Sequence, residues 1–173
     1  AGFCNELGVA GSVCLLKTIS GLWLIQECKR QWAAEGDDLD YAALAGLAEQ
    51  SEPFTSFINP DAPEFATPGD MPDKIRDFCR RTGQPVPADK GRILRVATDS
   101  LSLTSRCDFE HACSLTGKRF TRLRAGGGGI QNQLLSQATA DALGIEVVAG
   151  TVEATSCGNL ITQMVATGHL PDF

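Results

Sequence analysis

The sequence predicts an α/β domain, rich in helix, with a short and mostly parallel sheet. Two observations carry this. The last third alternates in type: a short strand candidate near Phe120–Leu123, a helix-periodic segment Gln133–Gly144, a second strand candidate Glu146–Ala149 and a closing periodic segment. That β-α-β-α order implies a parallel strand pair joined by a right-handed crossover. The first two thirds, in contrast, place apolar residues at helical spacing and offer few strand candidates. A parallel pair alone is not a stable sheet and needs more strands and cover on both faces. The sheet is therefore expected to be incomplete without strands upstream of Ala1. The chain reads as a single partial domain, residues 1–118 mostly helical and 119–173 the alternating portion.

In chain order, Val9 to about Trp32 reads as one helix with no strand before it. Val9, Val13, Leu16, Ile19, Trp23 and Gln26 step by three or four residues along one stripe. Gln26 ends that apolar row as a polar group, and the plain reading is a core-edge glutamine satisfied by backbone. A second helix is expected over Leu39–Glu49, after the turn-prone Glu35-Gly36-Asp37-Asp38. Residues 51–70 read as loop, because Pro53, Pro60, Pro63 and Pro68 break any long helix. Helix resumes at Met71, with Pro72 in its first turn, and ends by Thr82-Gly83. Beyond the rigid Pro85-Val86-Pro87, a long helix is expected from about Asp89 to Leu115. Ile93, Val96, Ala97, Ser100, Leu101 and Leu103 mark its inner side. The final helix is expected to start near Glu153 and run through Val165.

With 173 residues the chain can bury one real core, and 43% hydrophobic with 21% charged content is that of a soluble globular protein. A net charge of −6 without a long basic run argues against a nucleic-acid surface. No apolar stretch is long enough to span a bilayer, and the N-terminus lacks a signal-peptide pattern, so a cytoplasmic location is expected. Seven cysteines lie scattered without any C-x-x-C, which reads as reduced thiols. Near Cys107, His111 and Cys113 only the first two would share a helix face, and a closed zinc site needs four ligands. Buried, inert thiols and no metal site are expected there.

The densest motif is Arg124-Ala125-Gly126-Gly127-Gly128-Gly129-Ile130-Gln131-Asn132, between a strand candidate and a helix candidate. Such a loop sets bare backbone and a positive helix end beside whatever it meets, which suits a nucleotide. Four glycines in a row also suit a flexible linker. A Walker loop would need Gly-Lys-Ser/Thr where the chain has Gly129-Ile130-Gln131. A dinucleotide fingerprint starting at Gly126 would need glycine at Gln131, and the acid expected about twenty residues on is missing. Elimination leaves a different glycine loop.

Further stretches accompany the loop in order: Asn5-Glu6, Leu16-Lys17, Gly21-Leu22-Trp23-Leu24-Ile25-Gln26, Phe57-Ile58-Asn59-Pro60, the segment Pro68 to Met71, and Cys79 to Pro87. Gly127 to Leu135, Ala140-Asp141, Val148-Ala149-Gly150 and Val152 to Asn159 complete the set. Together they resemble the C-terminal part of the FGGY family of carbohydrate kinases, and within it most the rhamnulokinases, over nearly the whole chain. The resemblance implies an actin-like, ribonuclease-H-like ATPase fold whose two domains close over ATP and a sugar. It implies transfer of the ATP γ-phosphoryl group, with Mg2+, to a ketose hydroxyl, the 1-hydroxyl of L-rhamnulose in rhamnulokinases. Gly127, Gly128 and Gly129 fall on the family's triple-glycine motif, with Gly128 approaching the nucleotide. Asn132 falls on an adenosine-side asparagine and Gln26 on a nucleotide-binding glutamine. Physically, Gly128 permits close backbone approach and Asn132 offers both a donor and an acceptor.

The chain also departs from the pattern. Thr18 stands where rhamnulokinases place a sugar-contacting asparagine. Arg122 and Arg124 stand where the family's strand is apolar, which an edge position or salt bridges would accommodate. The family's catalytic base, an aspartate in a His-Asp-Thr-like motif, belongs upstream of Ala1, so no residue here, Asp141 and Glu153 included, is assigned that role. An N-terminal kinase domain is thus the expected partner. The alternatives are a non-catalytic nucleotide-binding or interaction module, and a scaffold fragment without a ligand.

Overall fold

The structure, a computed structural model, describes residues 2–173. It begins with a hairpin where a helix is expected. Strands β1 (Cys4–Leu7) and β2 (Val13–Leu16) pair antiparallel, Cys4 opposite Leu16 and Leu7 opposite Val13. The helical stripe fails because the backbone reverses within it: Ala10 and Gly11 both take positive φ, 54° and 72°. Successive left-handed residues cannot continue a right-handed helix. The Gly8 N–H donates to Ser12 O at 2.8 Å and Ser12 Oγ to Val9 O at 2.8 Å, closing the turn. The expected helix survives only as α1 (Trp23–Ala34).

The remaining helices follow the sequence closely. They are α2 (Tyr41–Glu49), α3 (Met71–Arg81) and α4 (Lys90–Thr116). Asp40 accepts the Ala43 N–H at 2.7 Å and Asp89 the Arg92 N–H at 2.9 Å, each satisfying an orphan donor of the first turn. The core joins all four helices: Leu24, Cys28 and Trp32 of α1, Leu44 and Ala48 of α2, Met71 and Ile75 of α3, and Ile93, Leu94, Val96 and Ala97 of α4. The first half of α4 is buried on almost every side, Thr98, Asp99, Ser100 and Ser102 included, so it is the central element and not merely a one-sided amphipathic helix. Its polar side chains are paired. Thr98 Oγ1 donates to Leu94 O, and Ser100 Oγ donates to Val96 O while accepting the Ile58 N–H.

Residues 51–70 are the expected loop, with a single 3-10 turn at Pro63–Phe65. It is pinned from three sides. Asp99 accepts the Phe54 N–H, Gln84 bonds both the N–H and the carbonyl of Phe57, and Trp23 Nε1 donates to Phe65 O at 2.9 Å.

Strand β3 (Arg122–Ala125) starts two residues later than expected and pairs parallel with β4 (Glu146–Ala149), with α5 (Gln133–Leu143) between them. The two strand pairs form separate sheets, so the strand pairing is half antiparallel instead of mostly parallel. Arg122 and Arg124 lie on the exposed side of β3, and Arg122 Nε meets Glu146 Oε2 across the pair at 2.6 Å. The arginines are accommodated by exposure and an ion pair. Helix α5 packs along α4, and its Leu134 reaches the core. The last helix, α6 (Ala154–Ala166), buries no residue, and Leu160 and Ile161 stand exposed.

The cysteines depart from expectation in part. All seven are free thiols, but only Cys28 and Cys79 are buried; Cys107 is exposed, Cys113 half-buried, and His111 packs edge-on against Phe3. The second half of α4 leaves the core, so thiols placed there meet solvent.

Candidate functional site

A cavity of about 470 Å³ opens where α1, α2 and α4 meet the glycine turn. Leu44, Ala48, Leu94 and Thr98 form its inner surface, Leu22, Ile25 and Gln26 come from the start of α1, and Tyr41, Ala42 and Ala45 from α2. Gly128, Gly129, Gln131 and Asn132 complete the wall. None of these side chains is an acid or a base with a charge at neutral pH. The cavity lining is therefore uncharged and mostly apolar, with polar groups from Gln26, Tyr41, Thr98, Gln131, Asn132 and the glycine backbone.

The glycine tract is folded and not a loose tether. The Gly127 N–H donates to Thr151 O at 3.0 Å and the Gly150 N–H to Ala125 O at 2.7 Å, coupling the ends of β3 and β4. Bonds from Ile130 N to Gly127 O and from Asn132 N to Gly129 O coil residues 128–131 into a 3-10 turn. The glycines serve different ends. A Cβ on Gly126 would meet Ala154 Cβ at 3.1 Å, and one on Gly129 would meet Leu22 Cδ1 at 3.2 Å. Gly127 has φ +87°, where side chains are strained. Gly128 alone has neither restriction: a Cβ there would meet no atom within 4 Å. Its lack of a side chain leaves bare backbone on the cavity wall, a cradle that a Cβ would fill.

Asn132 has two duties. As N-cap of α5 its Oδ1 accepts the Leu135 N–H at 3.0 Å, which leaves Nδ2 as the group it can offer the cavity. Its Oδ1 is thus engaged once, and its Nδ2 makes no hydrogen bond among the described residues. Gln26 is exposed and on the cavity wall, not held at the core edge by backbone. Its neighbours anchor α1. The buried Glu27 carboxylate accepts from Arg30 Nε and Nη2 at 2.9 and 2.7 Å and from the Gly69 N–H at 3.0 Å. The Arg30 hydrogen bonds hold its carboxyl below the usual carboxylate range against the opposing effect of burial. Burial pushes the Cys28 thiol up to about 12, so it packs as a neutral group.

Of the residues singled out in the sequence, the cavity gathers Gln26, Gly128, Gly129 and Asn132. Gly127 sits outside the cavity wall and contributes through its backbone bond to Thr151. Thr18 is exposed between β2 and α1, outside the cavity, beside Lys17, which pairs with Asp108 and with Asp61. Sequence reasoning missed Leu22, Ile25, Tyr41, Ala42, Ala45 and Gln131. A signal existed in α2: an aromatic at its start followed by small residues at 42 and 45, a helix face that leaves room. Among the described residues, no three of His, Cys, Asp and Glu converge so as to hold a metal ion, and the wall carries no carboxylate.

These features define an α/β domain in which a helical platform and a glycine-turn unit enclose one uncharged cavity. The chain belongs to the FGGY family of carbohydrate kinases, matching the description of its C-terminal domain over residues 3–167. It is 45% identical over 170 residues to a rhamnulokinase of Bacteroides thetaiotaomicron, 41% over 173 to one of Enterococcus faecalis and 35% over 171 to one of Bacillus subtilis. These alignments cover 98%, 99% and 99% of this chain and 34%, 34% and 35% of the relatives. The chain thus spans about a third of the length of the curated relatives it matches. Among the described residues no helix is long and apolar enough to cross a membrane.

Proposed function

We propose that this chain forms the adenosine-binding side of a sugar kinase that transfers the γ-phosphoryl group of ATP to a ketose, L-rhamnulose being the first candidate. The observation that carries the reading is the meeting of Gln26, Gly128 and Asn132, far apart in sequence, on one uncharged cavity. The names of the relatives add the substrate class. In this reading the base lies among the apolar side chains, Asn132 Nδ2 donates to the base or ribose, Gln26 bonds the nucleotide edge, and Gly128 lets the ligand touch backbone. Gly127 holds the turn in place. Phosphoryl transfer rests on positioning phosphate and acceptor, and this chain contributes the nucleotide half of that. Magnesium neutralises phosphate charge when bound with ATP, but its ligands, the catalytic base and most sugar contacts lie in an N-terminal kinase domain. The whole protein would have the actin-like, ribonuclease-H-like architecture, and Thr18 would stand on its sugar side.

Calorimetric titration of the intact protein with ATP and ADP, with and without Mg2+, tests the binding claim. Binding is expected, and silence at millimolar nucleotide would end it. A coupled assay over L-rhamnulose and other ketoses tests the kinase claim. Nucleotide binding without turnover on any ketose would favour a non-catalytic nucleotide-binding module.

A further inference from the structure

We propose that Tyr41 is the base-stacking wall of this cavity and makes it selective for nucleotides over phosphates lacking a base. The proposal rests on the nucleotide reading above and adds the residue that recognises the base. Tyr41 is the chain's single tyrosine, and it lines the cavity while remaining 56% exposed, so its ring is not consumed by the core. Its backbone is placed by the helix start and one ring face is taken by a cation. It opens α2 directly after the Asp40 cap, and Lys29 Nζ lies over its ring, 5.9 Å from the centroid. Lys29 is itself held by Asp38 and by Leu39 O at 2.6 Å. A cation on one ring face leaves the other for a neutral partner. Ala42 and Ala45, next to it on the same wall, place almost no side chain in the space that a flat group would need. A slot with an aromatic wall and no charged side chain in its lining takes a heterocycle by stacking, a contact that a phosphate without a base cannot make.

The test uses the intact protein and two probes, ATP and inorganic tripolyphosphate, by competition or calorimetry. Tyr41→Ala should weaken ATP about tenfold, the scale of one base–aromatic stack, and leave tripolyphosphate unchanged. Tyr41→Phe should restore ATP binding, because stacking needs the ring and not the hydroxyl. Wild-type affinity for ATP in Tyr41→Ala, or equal weakening of both probes, overturns the role of Tyr41 while the nucleotide reading stands. Failure of the wild-type protein to bind ATP overturns both.

Discussion

The backbone N–H of Gly69 donates to Glu27 Oε2 at 3.0 Å, so one buried carboxylate joins the middle of α1 to the turn that enters α3. Asp70, the N-cap of α3, makes no side-chain cap bond, and Glu27 secures that entry from another helix. Replacing Glu27 by Ala leaves the Gly69 donor without its partner, a loss of about 2 kcal/mol for a hydrogen bond to a charged group. Urea denaturation should read it as a lower midpoint at unchanged slope.

The same carboxylate sets a pH dependence. Its folded-state pKa is held below the ordinary 4.5, chiefly by the Arg30 hydrogen bonds. The resulting stability is fully present above that ordinary value and is lost as pH falls through the folded pKa. Between pH 5 and pH 3, Glu27→Gln should therefore lose less stability than the parent. Parallel acid limbs in the two proteins would contradict this origin.

Asp99 plays the corresponding part for the long loop. It is 1% exposed, accepts Arg95 Nε at 2.9 Å and the Phe54 N–H at 2.7 Å, and so holds residue 54 at φ 59°. Asp99→Ala would strand a largely buried guanidinium and a backbone donor, a change of about 3–5 kcal/mol. Hydrogen exchange should locate the opening at residues 51–58 and not at α6.

How much of this was legible in the sequence differs by kind of interaction. Helices α2 to α4 were readable because proline, glycine and capping aspartates punctuate them locally. The hairpin at 4–16 was not, since Val13 and Leu16 satisfy a helical stripe as well as a strand, and only the left-handed pair at 10–11 decides. At the site, Gln26, Gly128 and Asn132 stood out through ordered motifs. Tyr41 and the alanines stood out less, because an aromatic followed by small residues gains its meaning only once α2 packs on α4. Asn132's cap role, by contrast, had a local signature that sequence reasoning missed: an asparagine directly before a helical segment that begins at residue 133.

Gly128 and Gly129 adjoin, yet they should respond oppositely to substitution. Gly128→Val adds a side chain to open cavity at ordinary φ, so the thermal midpoint should stay within about 2 °C while ATP affinity collapses. Gly129→Val pushes against Leu22 Cδ1 and should lower stability by about 1–2 kcal/mol, as overpacking does. Thermal melts with ATP titrations on both variants separate the two roles. Unchanged ATP affinity in Gly128→Val would remove that glycine from the site.

Thiol reactivity should follow burial. Cys4, Cys14, Cys107 and Cys157 are exposed, whereas Cys28 and Cys79 are buried and burial raises both thiols. Iodoacetamide at pH 8 under native conditions should label the exposed set and spare Cys28 and Cys79 until the protein unfolds, as peptide mass mapping would record. Early labelling of Cys28 would mean that α1 opens apart from the core.

Asn132 is where fold and proposed function meet in one side chain, and two substitutions can part them. Its Oδ1 caps α5 through the Leu135 N–H, and its Nδ2 remains for a ligand. Asn132→Ala removes both, and should lower stability by about 1 kcal/mol, the usual worth of an N-cap. Asn132→Ser keeps a capping oxygen and should retain most of that stability, but it shortens the side chain and removes the amide donor. Loss of one hydrogen bond predicts about fivefold weaker ATP binding in both variants. The serine variant is decisive, because its fold is preserved. Weakened ATP with a near-parental melting temperature assigns Nδ2 to the nucleotide, whereas parental affinity leaves Asn132 as a helix cap alone and shifts the polar contact to Gln26 or Gln131.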